Sequence, residues 1–117
     1  MSKLKLKTKN LKGKGGRVIL FIDTSDSKKI VLGLDGERKT IGVAQKDKSL
    51  LDNIVIFLKE KGCTLDCIKQ IKINPGPGSF TGLRVGFSIA NLLGWYFSVP
   101  VNSLMISQKQ VALPKYE

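Results

Sequence analysis

The chain has 117 residues, 42% hydrophobic and 25% charged, with a formal net charge of +11. That balance excludes a wholly disordered polymer, and the length fits one domain with a real core rather than a two-domain enzyme. Two cysteines and no histidine exclude a structural zinc site, which needs four Cys or His ligands. No metal or cofactor is therefore expected, and reduced thiols are the expected state of Cys63 and Cys67.

The charge is uneven. Residues 1–17 carry Lys3, Lys5, Lys7, Lys9, Lys12, Lys14 and Arg17 and no acid. This segment reads as a basic leader. It lacks the apolar core of a secretory signal, and no aromatic interleaves its lysines. Weak, salt-dependent contact with a phosphate backbone is the one nucleic-acid reading it supports, set against a solvated, mobile tail.

Residues 18–22, V-I-L-F-I, form a continuous apolar run that suits a central strand buried on both faces. It ends in the polar turn Asp23-Thr24-Ser25. A second run over 29–34 reaches the Asp35-Gly36 turn signal, and a third follows over 38–44. Strand, DG turn and strand is a hairpin pattern, so three adjacent antiparallel strands are expected.

Ser49 precedes a helical stretch over 50–61, with Leu50, Ile54, Phe57 and Leu58 at helical spacing. Ser49 and Asp52 form a capping-box pair, and Gly62 marks the stop. The alternation I-K-Q-I-K-I over 68–73 predicts a strand with one buried face. A proline-stiffened loop over 74–81 leads into a helix over 82–97, and 99–101 reads as a short last strand. The longest apolar stretch, 85–106, is interrupted by Asn91, Pro100 and Asn102, so it reads as helix, turn and strand and not as a membrane span. The order predicts an α/β domain with a mixed five-stranded sheet and helices packed on it. The lobe runs from 18 to 106, followed by a tail over 107–117 with little pattern, read as the start of a third helix.

The sharpest motif is G-P-G-S-F-T-G-L-R-V-G, residues 76–86, which joins a strand end to a helix start. Glycine-rich turn amides at a helix N-terminus can hold an anion. Gly76, Gly78, Ser79, Thr81 and Gly82 are the candidates, with Asp23, Thr24 and Ser25 at the other strand end. The alternative is a tight turn that seats the helix on the sheet. A Walker loop is excluded because Leu83 follows Gly82, and a dinucleotide fingerprint because Thr81 takes the sixth place. Gly82, Gly86, Ala90 and Gly94 recur every four residues, so they share a slowly drifting face. Interior helix glycines cost roughly 1 kcal/mol each relative to alanine. Close backbone approach is implied, either to this domain's own sheet or to another chain. Arg84 opposes the helix dipole and needs an anion, for which Asp23 is a candidate.

The pairing of I-L-F-I-D-T-S with G-P-G-S-F-T-G-L-R-V-G resembles the N-terminal lobe of the TsaB (YeaZ) family of glycoprotease-like proteins. The likeness runs from Val18 to Leu104 and includes Leu50-Leu51-x-x-Ile54 and Pro100-Val101-x-Ser103-Leu104. It implies a single ribonuclease-H-like lobe of the actin and sugar-kinase superfamily in the cytoplasm. It also implies a non-catalytic dimerisation subunit that binds a TsaD-like transferase of the tRNA threonylcarbamoyladenosine machinery, or itself. The resemblance places the contact on the two helices, giving Leu50, Ile54, Phe57, Gly82, Arg84, Gly86, Ala90, Leu93 and Gly94 as interface candidates. The competing readings are a small ATP- or phosphate-binding lobe and a basic RNA-binding accessory protein. Two departures stand out: the family's second lobe has no counterpart in these 117 residues, and Lys46, Asp47 and Lys48 stand where a histidine is usual.

Overall fold

The computed structural model describes residues 18–42, 49–107 and 110–115. The basic leader, the end of the third predicted strand and Lys46–Lys48 lie outside them. Four strands form one sheet in the order β3-β2-β1-β4. They are β1 (Ile19–Asp23), β2 (Lys29–Leu34), β3 (Glu37–Gly42) and β4 (Gln70–Ile73). β1 pairs antiparallel with β2, and β2 with β3, as the hairpin signals require. β4 lies parallel to β1 on its other side. That pairing needs a crossover, and α1 (Leu50–Glu60) supplies it. The second helix, α2, spans Phe80–Phe97.

Register sorts the side chains. Leu20 and Ile22 stand beside Leu34 and Leu32 on one flank and Ile71 and Ile73 on the other, and all six are buried. Ile54, Phe57 and Leu58 of α1 and Leu83, Phe87, Ala90 and Leu93 of α2 complete this core. The sequence suggests a β1 buried on both faces. The helices instead share one face, and on the other Phe21 is half-buried beneath the Arg38 guanidinium, 4.1 Å above its ring.

Local signals account for the helix ends. Ser49 accepts from the Asp52 amide while the Asp52 carboxylate accepts from the Ser49 amide, the full capping box. The chain leaves α1 through Gly62 at φ +75°. α2 begins two residues earlier than its pattern suggests, because Ser79 caps it by accepting from the Gly82 amide.

Among the described residues the sheet has four strands, not the expected five. Val101 makes a single parallel bridge to Ile71. The chain then turns through Asn102 and Ser103, both in the left-handed region, so no ladder propagates. The Asn102 side chain takes the place of further strand, accepting from the Ile73 amide at 2.8 Å and donating to its carbonyl at 3.0 Å. A short 3-10 turn at Leu65–Cys67 also delays the start of β4 to Gln70. Cys63 and Cys67, expected as separate thiols, are paired in a disulfide with Cα atoms 6.3 Å apart. The described tail residues form no helix, and Ala112 among them is hydrogen-bonded to Asn91 of α2.

Candidate functional site

Because β1 and β4 are parallel, their C-terminal ends deliver the 24–28 turn and the 74–79 loop to the same edge of the sheet. Asp23 organises the junction. Its Oδ1 accepts from the Ser25 amide at 2.9 Å and hydroxyl at 2.6 Å, and Oδ2 accepts from Asn74 Nδ2 at 3.1 Å. Asn74 Oδ1 in turn accepts from the Gly76 amide at 3.0 Å. Burial alone would raise the Asp23 carboxyl. The Ser25 hydroxyl and amide, Asn74 and the charge of Arg38 outweigh it and hold the group below its ordinary value of 3.8. The cation that influences Asp23 is thus Arg38 and not the expected Arg84, whose guanidinium lies 5.5 Å from the Phe80 ring centre.

The glycines of the 76–86 motif are explained by contact with β1's end. A Cβ at Gly78 would overlap Ser25, one at Gly82 the Thr24 carbonyl, and one at Gly86 the Thr24 hydroxyl. At Gly94 it would come within 2.6 Å of Val101 Cγ2. Gly76 has φ +94°, which favours glycine outright. The small-residue face of α2 therefore packs on this chain's own sheet and its 99–106 segment.

The phosphate-loop candidates divide into two groups. Thr24, Ser79, Thr81 and Gly82 line an open cavity of about 330 Å³, with Lys29, Asp26 and Asn53 opposite. Asp23, Ser25, Gly76 and Gly78 do not line it; they brace the loop from behind. Several amides expected to hold an anion are already engaged: Gly76 with Asn74, Ser79 with the Ser25 carbonyl at 2.7 Å, and Gly82 with Ser79. The Thr24 hydroxyl is buried and has no hydrogen-bond partner. Among the described residues, no group of His, Cys, Asp or Glu is arranged to hold a metal.

Of the interface candidates, Leu50, Ile54, Phe57, Gly86, Ala90, Leu93 and Gly94 are buried inside this chain, Gly82 is half-buried and Arg84 is exposed. The apolar side chains that α2 leaves uncovered are different ones: Phe80, Val85, Leu92, Trp95 and Tyr96, with Ile56 from α1. Asn74, Asn91 and Asn102 were missed from the sequence. Asn74 follows the end of β4, Asn102 follows the Val101 bridge and Asn91 lies mid-helix; in each an amide side chain replaces a backbone partner, but no spacing advertises that role.

Residues 38–111 match the family described as TsaD, tRNA N6-adenosine threonylcarbamoyltransferase. The chain belongs to that family. Within it, the chain is TsaB/YeaZ-like. It is 36% identical over 87 residues to the tRNA threonylcarbamoyladenosine biosynthesis protein TsaB of Haemophilus influenzae, covering 71% of this chain and 37% of that one. Against the TsaB protein of Bacillus subtilis it is 24% identical over 91 residues, covering 63% and 40%. The structure of YeaZ from Pseudomonas aeruginosa superposes with a TM-score of 0.59 at 26% identity, over 73% of this chain and 42% of that one. The chain thus spans less than half the length of these TsaB and YeaZ relatives. No helix among the described residues is long and apolar enough to cross a membrane.

Proposed function

We propose that this TsaB-like chain is a non-catalytic dimerisation subunit of the cytoplasmic machinery that makes threonylcarbamoyladenosine on tRNA, binding and supporting a TsaD-like transferase. The observation that carries this reading is α2. It is an 18-residue helix whose only charged residue is Arg84, and it leaves Val85, Leu92, Trp95 and Tyr96 exposed. Val85, Leu92 and Tyr96 follow one another at seven and four residues, so they form a stripe on one face. Ile56 of α1 adds to the exposed apolar area. An uncovered stripe of this kind is characteristic of a protein partner's footprint. The names of the TsaB relatives supply the pathway. Contact with tRNA, where it occurs, is weak and salt-dependent through the basic residues of 1–17.

The test is co-expression with the TsaD protein of the same organism, followed by size-exclusion chromatography. Co-elution is expected, and Leu92→Asp should abolish it while leaving the thermal midpoint nearly unchanged. Separate elution of a folded wild-type chain, or a dimer of this chain alone, would overturn the assignment of the partner. Co-elution that survives Leu92→Asp would remove α2 from the interface.

A second reading, a small phosphate-binding lobe, is favoured by the cavity beside Thr24 and Thr81. Calorimetric titration with inorganic phosphate or ATP tests it. Binding that Thr81→Val removes would support it, and no heat at millimolar ligand would dismiss it.

A further inference from the structure

The tail residues 110–115 have no helix and no strand ladder to hold them. Gln110 exchanges backbone hydrogen bonds with Ser107 and donates its Nε2 to the Met105 carbonyl at 2.7 Å. Beyond it, the tail is attached to α2 and to the signature loop at two points. At the first, the Asn91 side chain in the middle of α2 grips Ala112 from both sides. Its Oδ1 accepts from the Ala112 amide and its Nδ2 donates to the Ala112 carbonyl, each at 2.9 Å. Ala112 is buried and joins the core, while Leu113 beside it is 73% exposed. At the second point, the Lys115 amide donates to the Pro75 carbonyl at 2.7 Å. The Lys115 carbonyl also crowds Gly76 so closely that a Cβ there would come within 2.9 Å of it.

The second attachment falls on the loop that carries the glycine motif. From the inside, that loop is held by Asn74 and by the Ser25 carbonyl. From the outside, the tail supplies the bond at Pro75. We propose that residues 110–115 form a strap, clamped by Asn91, that fixes the 75–82 loop against the sheet, so that strap and loop open as one unit. Release of the strap would also uncover the α2 flank at Asn91 and withdraw Val111 from the groove it forms with Ile89, Leu92, Trp95 and Ile106. The strap therefore couples the state of the signature loop to the extent of the exposed helix face.

Hydrogen exchange read by mass spectrometry on the full chain tests the proposal. In Asn91→Ala the strap loses two hydrogen bonds, and peptides covering 110–115 and 75–82 should both exchange about tenfold faster. Exchange in 18–23 should stay as in the wild type. Faster exchange in the strap with an unchanged loop would overturn the coupling. If the variant exchanges faster everywhere, the wild type decides the matter in urea below its unfolding transition. A shared opening free energy and urea slope for the two segments, below those of β1, supports one unit, whereas separate values overturn it.

Discussion

Replacing Gly86 by alanine sets two effects of known sign against each other. Alanine in a helix interior is favoured over glycine by about 1 kcal/mol, so an open site would be stabilised. Here the new methyl overlaps the Thr24 hydroxyl and meets Ile73 Cδ1 at 3.1 Å and Thr24 Cβ at 3.2 Å. Thr24 is 4% exposed, and turning its hydroxyl away would still leave its Cβ and Ile73 Cδ1 in tight contact, so the helix or the strand end must shift. Overpacking of this kind costs about 1–3 kcal/mol, and the rigidity on both sides favours the upper half of that range. A net loss of about 1–2 kcal/mol follows, or a fall in Tm of roughly 5–15 °C for a domain of this size. Thermal and urea unfolding, with the exposed Ser88→Ala as control, measures it. Thr24→Ala removes the unpartnered hydroxyl and makes room, so the double variant should recover at least about 1 kcal/mol of coupling. A Gly86→Ala protein more stable than wild type, or a coupling near zero, would refute the close packing of α2 on β1.

Gly82→Ala should cost more than Gly86→Ala, because its methyl overlaps the Thr24 carbonyl, which is backbone and cannot rotate away; equal or smaller loss in the same unfolding experiment would reverse that ordering. Asp23 has a folded pKa below its ordinary value of 3.8, so its stabilising contribution is complete above about pH 5 and is lost as pH falls through the folded value. Asp23→Asn should therefore unfold at lower urea than wild type at pH 7, with the gap narrowing towards pH 3. A gap that widens on acidification would contradict the sign.

The hairpin, the first helix and the fourth strand were legible because each rests on a local signal: Asp35-Gly36, the Ser49–Asp52 box and the alternation over 68–73. The fifth strand failed because apolar content at Val99 and Val101 says nothing about the left-handed turn at Asn102 and Ser103 that stops it. The glycine spacing on α2 announced close approach but not its object. Deciding between sheet and partner required knowing that Thr24 and Val101 lie beneath. The interface candidates, placed on the two helices by the family resemblance, fall mostly in the core. A sequence marks greasy positions on a wide helix face but not which arc of it the domain itself covers.

The outer strand β3 has one buried residue, Ile41, and otherwise shows Glu37, Arg38, Lys39 and Thr40 at its surface. Lys39 and Glu37 are drawn across the sheet to Glu60 and Lys61 at the end of α1, at 2.9 and 2.7 Å. Such exposed pairs add little stability, on the order of 0–1 kcal/mol. Their larger effect is on aggregation. Among the described residues no strand pairs with the outer side of β3. A foreign strand adding there would have to sit beside a row of charges already paired in place, which resists edge-to-edge growth into fibres.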